Sequence, residues 1–126
     1  MADILSIVVN GEVQLEYDRN KSLAERQREY LDIMDTKMTA GINYNDEFYQ
    51  NPDENQRAQF VTINLIQSLI ANDEQQMVAM CAYLATRLPE LKQVKAELNG
   101  DAFNVDLVFD SAHQNQIKVE FNPVKH

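Results

Sequence analysis

The stretch Leu91-Lys-Gln-Val-Lys-Ala-Glu-Leu-Asn-Gly-Asp-Ala-Phe-Asn-Val-Asp-Leu-Val-Phe109 decides the fold, because its first half reads two ways. Leu91, Val94 and Leu98 have helical spacing, whereas Val94, Ala96 and Leu98 have the period of a strand. Register favours the strand. A two-residue turn at Asn99-Gly100 sets Ala96 against Phe103 and Val94 against Val105 on one face, with Lys95 against Asn104 on the other. Phe103, Val105, Leu107 and Phe109 then alternate with polar residues up to Asp106, and Ile117, Val119 and Phe121 do so after the polar loop from Ser111 to Asn115. A three-stranded meander is expected to end the chain.

A second Asn-Gly pair organises the other end. Ile4 to Val9, Asn10-Gly11 and Glu12 to Tyr17 read as a hairpin, since Asn-Gly supplies the two positive-φ residues of a type I′ turn. A strict two-residue turn pairs Val8 with Val13, Ser6 with Leu15 and Ile4 with Tyr17, and makes theirs the core face. The first strand is apolar on both faces, which suits an interior position. Between the two hairpins lie three helical patterns. Ser22-Leu-Ala-Glu25 reads as a capping box that starts the first helix near residue 23, with Gly41 as its stop. Asn51-Pro-Asp-Glu54 reads as a cap followed by proline in the first helical position, opening a helix that runs to Ala71. Asn72 closes it, and Asp73-Glu-Gln-Gln76 opens the third. The expected fold is a single α+β domain over residues 1–126, in the order ββαααβββ. An antiparallel sheet, made of the N-terminal hairpin plus the meander, carries three helices on one face.

Within the third helix, Met77-Val-Ala-Met-Cys-Ala-Tyr-Leu-Ala85 is apolar without interruption, so apolar side chains point in every direction around its axis. One sheet and one neighbouring helix cannot easily cover Met80 and Tyr83 as well. Exposure would forfeit about 1.5 to 3 kcal/mol for each. That cost leads to the expectation of a homodimer with Met80 and Tyr83 in its interface.

Composition narrows the remaining possibilities. Twenty acids against eleven bases in 126 residues give a formal charge of −9, which argues against direct binding to nucleic acid or to anionic membranes. Between Glu29 and Glu74 stand nine acids with only Lys37 and Arg57 to offset them. The single cysteine, Cys81, has no intramolecular partner and suits a reduced, buried thiol, so a cytoplasmic setting is expected. Asp3 precedes a short apolar run with no basic stretch before it, and no run approaches the roughly 20 residues that span a bilayer.

Sites of chemistry are sparse. His113 and His126 are distant in sequence, and Cys81 has no histidine near it, so no metal-ligating spacing is present. The three glycines stand singly, which excludes a phosphate-cradling loop, and no cofactor is expected. Glu29, Asp32 and Asp35 read as a solvated face, partly neutralised by Arg28. The segment from Gly41 to Gln50 is read as a long loop in which Tyr44, Phe48 and Tyr49 stand among acids, a combination that suits an interface anchor. Arg57 is the base nearest to it and is expected to neutralise Asp53 or Glu54. His113 lies in a polar loop near Asp110.

The expectation for function is a non-catalytic, homodimeric interaction or adaptor module that meets a basic protein through its acidic face and aromatic loop. The alternative is a small-ligand binder or enzyme with a pocket lined by Tyr44, Tyr49 and Arg57, with His113 at its rim. A weaker alternative is an acidic mimic of nucleic acid.

Overall fold

The computed structural model describes residues 4–19, 25–44, 47–100, 102–109 and 117–121. In chain order the elements are β1 (Ile4–Val9), β2 (Glu12–Asp18), α1 (Glu25–Thr39), β3 (Ile42–Tyr44), β4 (Glu47–Tyr49), α2 (Glu54–Ala71), α3 (Glu74–Arg87), β5 (Leu91–Asn99), β6 (Ala102–Phe109) and β7 (Ile117–Phe121). The class is α+β. The ambiguous stretch after Pro89 is a strand.

The sheet is mixed rather than antiparallel, with the order β2-β1-β5-β6-β7. Both hairpins form, but β1 and β5 join them side by side in parallel, with Ser6 opposite Gln93 and Val9 opposite Ala96. Turn chemistry sets the pairing inside each hairpin and leaves the relative direction of two hairpins open. Asn10 fastens the seam. Its backbone N–H donates to the Ala96 carbonyl at 2.8 Å, and its side-chain oxygen accepts from the Leu98 N–H at 2.9 Å. β1 is interior, as its two apolar faces require.

The first hairpin turns at Asn10 and Gly11, with φ of 51° and 84°. Its expected core face is corrected by a bulge. Val8 pairs with Val13, but Ile7 then pairs with Leu15 and Leu5 with Tyr17, leaving Gln14 as an extra residue. Leu5 and Ile7 are therefore the buried pair, and Ile4, Ser6 and Val8 lie on the half-buried side. Strict register would have placed Glu16 and Gln14 opposite Leu5 and Ile7. In the second hairpin Asn99 pairs with Ala102, so Ala96 meets Val105 and Val94 meets Leu107. That is a slip of two residues from the expected register, and an even slip leaves every side chain on its expected face.

Val94, Ala96, Phe103, Val105, Leu107 and Val119 are buried with Leu5 and Ile7 beneath the helices. On the opposite face Lys95, Glu97, Asn104 and Asp106 are exposed. α2 contacts β7, α3 contacts β2, and α1 packs on α3.

Helix ends follow local hydrogen bonding. The Ser22 box lies outside the described residues. α1 stops at Gly41, which has φ of 133° and donates to the Met38 carbonyl at 3.0 Å. The ring of Phe48 covers Gly41 and leaves no room for a Cβ. α2 is capped by Asp53 and not by Asn51. The Asp53 carboxylate accepts from the Gln56 N–H at 2.8 Å, and the Gln56 side chain accepts from the Asp53 N–H at 2.9 Å. Asn51 instead adopts a left-handed turn, with φ of 50°, and donates to the Thr39 carbonyl. At the other end Asn72 is left-handed, and Asp73 caps α3 directly.

Candidate functional site

The densest polar cluster among the described residues lies where three helices meet, and no motif in the sequence points to it. Asp35 projects from the C-terminal half of α1 and accepts from the Tyr83 hydroxyl at 2.5 Å, from Arg87 Nε at 2.9 Å and from Arg57 Nη1 at 3.2 Å. Arg57 stands in the first turn of α2; Tyr83 and Arg87 share one face of α3. Arg57 also donates to the Pro52 carbonyl and to the Thr39 hydroxyl, and Arg87 donates to Asp32 at 3.2 Å. The Arg87 guanidinium lies 5.7 Å from the Tyr83 ring centroid. Partial burial would raise the pKa of Asp35, but hydrogen bonds from Tyr83, Arg87 and Arg57, together with the Arg87 charge, outweigh it and hold the carboxyl below its usual range. Burial first, and then the bond to Asp35, push the Tyr83 phenol up.

These bonds account for the cluster as a fastening between helices. A cleft of about 330 Å³ opens beside it, lined by Asp35, Pro52, Glu54, Arg57, Tyr83 and Arg87. Its two arginines are paired with Asp35 and Asp32, and Glu54 in its lining makes no ion pair with either, so it has no surplus positive charge with which to hold an anion. Arg57 thus meets Asp35, 22 residues upstream, in place of the expected Asp53 or Glu54.

Tyr44, Phe48 and Tyr49 do not lie on a loop. They belong to the hairpin β3–β4, in which Asn43 pairs with Phe48. Tyr44 is buried, stacks on Tyr49 with ring centroids 4.7 Å apart and tilts against Phe60 at 6.5 Å. Burial pushes its phenol up to about 12. Phe48 remains 59% exposed. Neither Tyr44 nor Tyr49 lines the cleft that Arg57 borders, so the expected three-residue pocket is not assembled there. His113 lies outside the described residues.

Met80 and Tyr83 require correction as well. They are only 7% and 3% exposed within the single chain. α1 supplies part of the cover: it packs on α3, and its Asp35 accepts from the Tyr83 hydroxyl. The burial argument for a second copy therefore no longer holds. Cys81 is fully buried, and burial pushes its thiol up to about 12, far from a reactive thiolate. Among the described residues no group of three His, Cys, Asp or Glu is arranged to hold a metal ion, and no helix is long and apolar enough to cross a membrane.

Two further hollows meet at Val78. Between α1 and the N-terminal half of α3 lies a groove of about 590 Å³, whose lining includes Tyr30, Leu31, Val78, Ala79 and Ala82. On the other side of Val78 a hollow of about 330 Å³ is bordered by Leu15 of β2, Leu69 of α2 and Glu74. Tyr30 and Val78 are 46% and 44% exposed. The groove depends on how α1 sits on α3, a contact that no spacing within either helix encodes.

No known protein family matches this chain, and no curated protein or solved structure does so either.

Proposed function

We propose that the protein is a non-catalytic interaction module whose acidic helical layer and exposed aromatic hairpin engage a basic protein partner. One observation carries the reading. The arginines of α2 and α3 are both consumed by aspartates of α1, and among the helical charges left without an ion pair among the described residues the acids Glu25, Glu29, Glu54 and Glu74, with the capping Asp53 and Asp73, outnumber the bases Arg26, Arg28 and Lys37 by six to three. The helical surface thus carries unpaired negative charge beside exposed apolar side chains such as Phe48, a composition that steers a cationic partner and anchors it on arrival. Self-association through Met80 and Tyr83 forms no part of this reading.

Zero-length carbodiimide cross-linking in native extract tests it. The expected products join carboxylates of residues 25–74 to lysines of one basic protein, and their yield falls as salt rises. Cross-links insensitive to salt, or spread equally over the exposed sheet face around Glu97 and Asp106, would overturn it.

A further inference from the structure

We infer that the outer edge of β2 is a docking site for an extended, basic segment of a partner protein, which adds to the sheet as a further strand. The inference goes beyond the reading above, because it uses the sheet edge and not the aromatic hairpin. In the order β2-β1-β5-β6-β7, β2 has a neighbour on one side only. Its backbone groups that face away from β1 have no backbone partner among the described residues, and a row of such groups is a template for another strand. The bulge at Gln14 disturbs the end near the turn, but from Leu15 to Asp18 the register is regular, which leaves four residues to pair. An added strand lies about 4.8 Å beyond β2, and its side chains alternate between two faces. Those on the helical side lie over the hollow of about 330 Å³ that Leu15 borders with Leu69 and Val78. Those on the other side lie beside Val13 and Glu16, which are exposed and stand opposite Val8 and Ser6 of β1. Strand addition draws affinity from main-chain hydrogen bonds and selectivity from hollows that take alternate side chains, and this edge supplies both.

Charge decides the partner's sign. β2 carries Glu12, Glu16 and Asp18, the hollow adds Glu74, and neither the strand nor the hollow's lining contains a base. Arg19, which follows β2, is turned away and donates to the carbonyls of Leu88 and Pro89. The same acids disfavour a second copy of this chain. Twofold antiparallel pairing of β2 centred on Leu15 sets Glu12 against Asp18, and pairing centred on Glu16 sets that residue against itself. The other sheet edge, β7, brings no net positive charge to β2 either, since its sequence holds one lysine and one glutamate. Lysine or arginine at alternate positions of a different strand turns the acids into cross-strand ion pairs, with apolar residues between them facing the hollow.

The test follows amide NMR signals and hydrogen exchange of the whole labelled chain during titration with three peptides of about eight residues. They are an alternating valine–lysine peptide, its valine–glutamate counterpart, and the valine–lysine peptide with the backbone N-methylated at its four central residues, which keeps every side chain and removes the N–H donors. The valine–lysine peptide is expected to shift residues 13–18 and 74–78 and to slow exchange of the β2 amides that face away from β1. Its affinity should fall about tenfold in Glu16→Lys and in Val78→Lys and stay unchanged in Phe48→Ser and Glu97→Lys, with the other two peptides binding at least about tenfold more weakly. Glu16 and Val78 lie on different elements, so either variant reads the site if the other folds poorly. Equal binding of the N-methylated peptide would refute strand addition. Shifts confined to residues 41–50 and abolished by Phe48→Ser would refute the edge while leaving the interaction reading intact. No shift anywhere with the valine–lysine peptide would likewise refute the edge, and the carbodiimide cross-linking then decides the interaction reading on its own. Concentration-dependent shifts at residues 13–18 without peptide, with a doubled mass by light scattering, would assign the edge to a second copy and overturn the basic partner.

Discussion

Replacing Asp35 with alanine removes the acceptor that three donors from two other helices share. The Tyr83 hydroxyl bears the largest consequence, because Tyr83 is buried and its bond to Asp35 is charge-assisted. A buried donor left without an acceptor costs about 1–3 kcal/mol. Arg57 and Arg87 lose less. Their side chains are 19% and 31% exposed, they keep Pro52, Thr39 and Asp32 as acceptors, and water compensates part of each lost ion pair, so about 0.5 kcal/mol apiece is reasonable. The total is about 2–4 kcal/mol, which for a domain of this size lowers the melting temperature on the order of 10 °C. Urea unfolding measures it, with an unchanged m-value expected. Tyr83→Phe alone and combined with Asp35→Ala completes a cycle whose coupling should be about 1–2 kcal/mol. A loss below about 0.5 kcal/mol for Asp35→Ala, or strict additivity in the cycle, would refute the view that this cluster fastens α1 to α2 and α3.

The same carboxylate makes stability depend on pH. Its folded pKa is depressed, so its contribution is complete above the unfolded carboxylate value, near about pH 4, and is lost as pH falls through the lower folded value. The difference in melting temperature between wild type and Asp35→Asn should stay level from neutral pH down to about 5 and shrink below about 4; a difference that grows in acid would reverse the assignment. Cys81, buried and pushed up to about 12, should react with a thiol reagent only as fast as the chain unfolds, and a complete reaction of the native protein on mixing would contradict its burial. Deleting the bulge residue Gln14 keeps Ile7 opposite Leu15 and should cost under about 1 kcal/mol, whereas deleting Glu16 moves Asp18 opposite Leu5 and should cost several times more by denaturant titration.

Local chemistry was legible and its assembly was not. Asn10-Gly11 and Asn99-Gly100 announce hairpins because residues that tolerate positive φ, realised at Asn10, Gly11 and Gly100 while Asn99 stays in its strand, specify a turn locally, and left-handed Asn72 announces a helix junction for the same reason. The all-round apolar surface of α3 correctly signalled deep burial, yet part of the cover proved to be α1, which itself buries only Leu31 and Met38 fully. A helix so polar in composition gives little sign that it lies over another. The Asp35 cluster was hidden on different grounds. Its partners lie 22, 48 and 52 residues away, and no spacing within one helix encodes such a meeting. The aromatic segment was marked as unusual, but strands of three residues are too short for alternation to separate a hairpin from a loop. Gln14 sits in a strand of otherwise plain alternation, and only the competing burial of Leu5 and Ile7 selects the bulge.

The pairing of β1 with β5 has a temporal side. Residues 6–9 gain their second neighbour only when residues 93–96 exist, more than eighty positions later. At a synthesis rate of about 5–20 residues per second, the N-terminal hairpin waits on the order of ten seconds with one backbone edge unsatisfied and Leu5 and Ile7 uncovered. A chain that ends before residue 93 lacks the strand that pairs with β1 and keeps that edge open. Quality control in the cell should therefore discriminate sharply between chains that include β5 and those that stop before it.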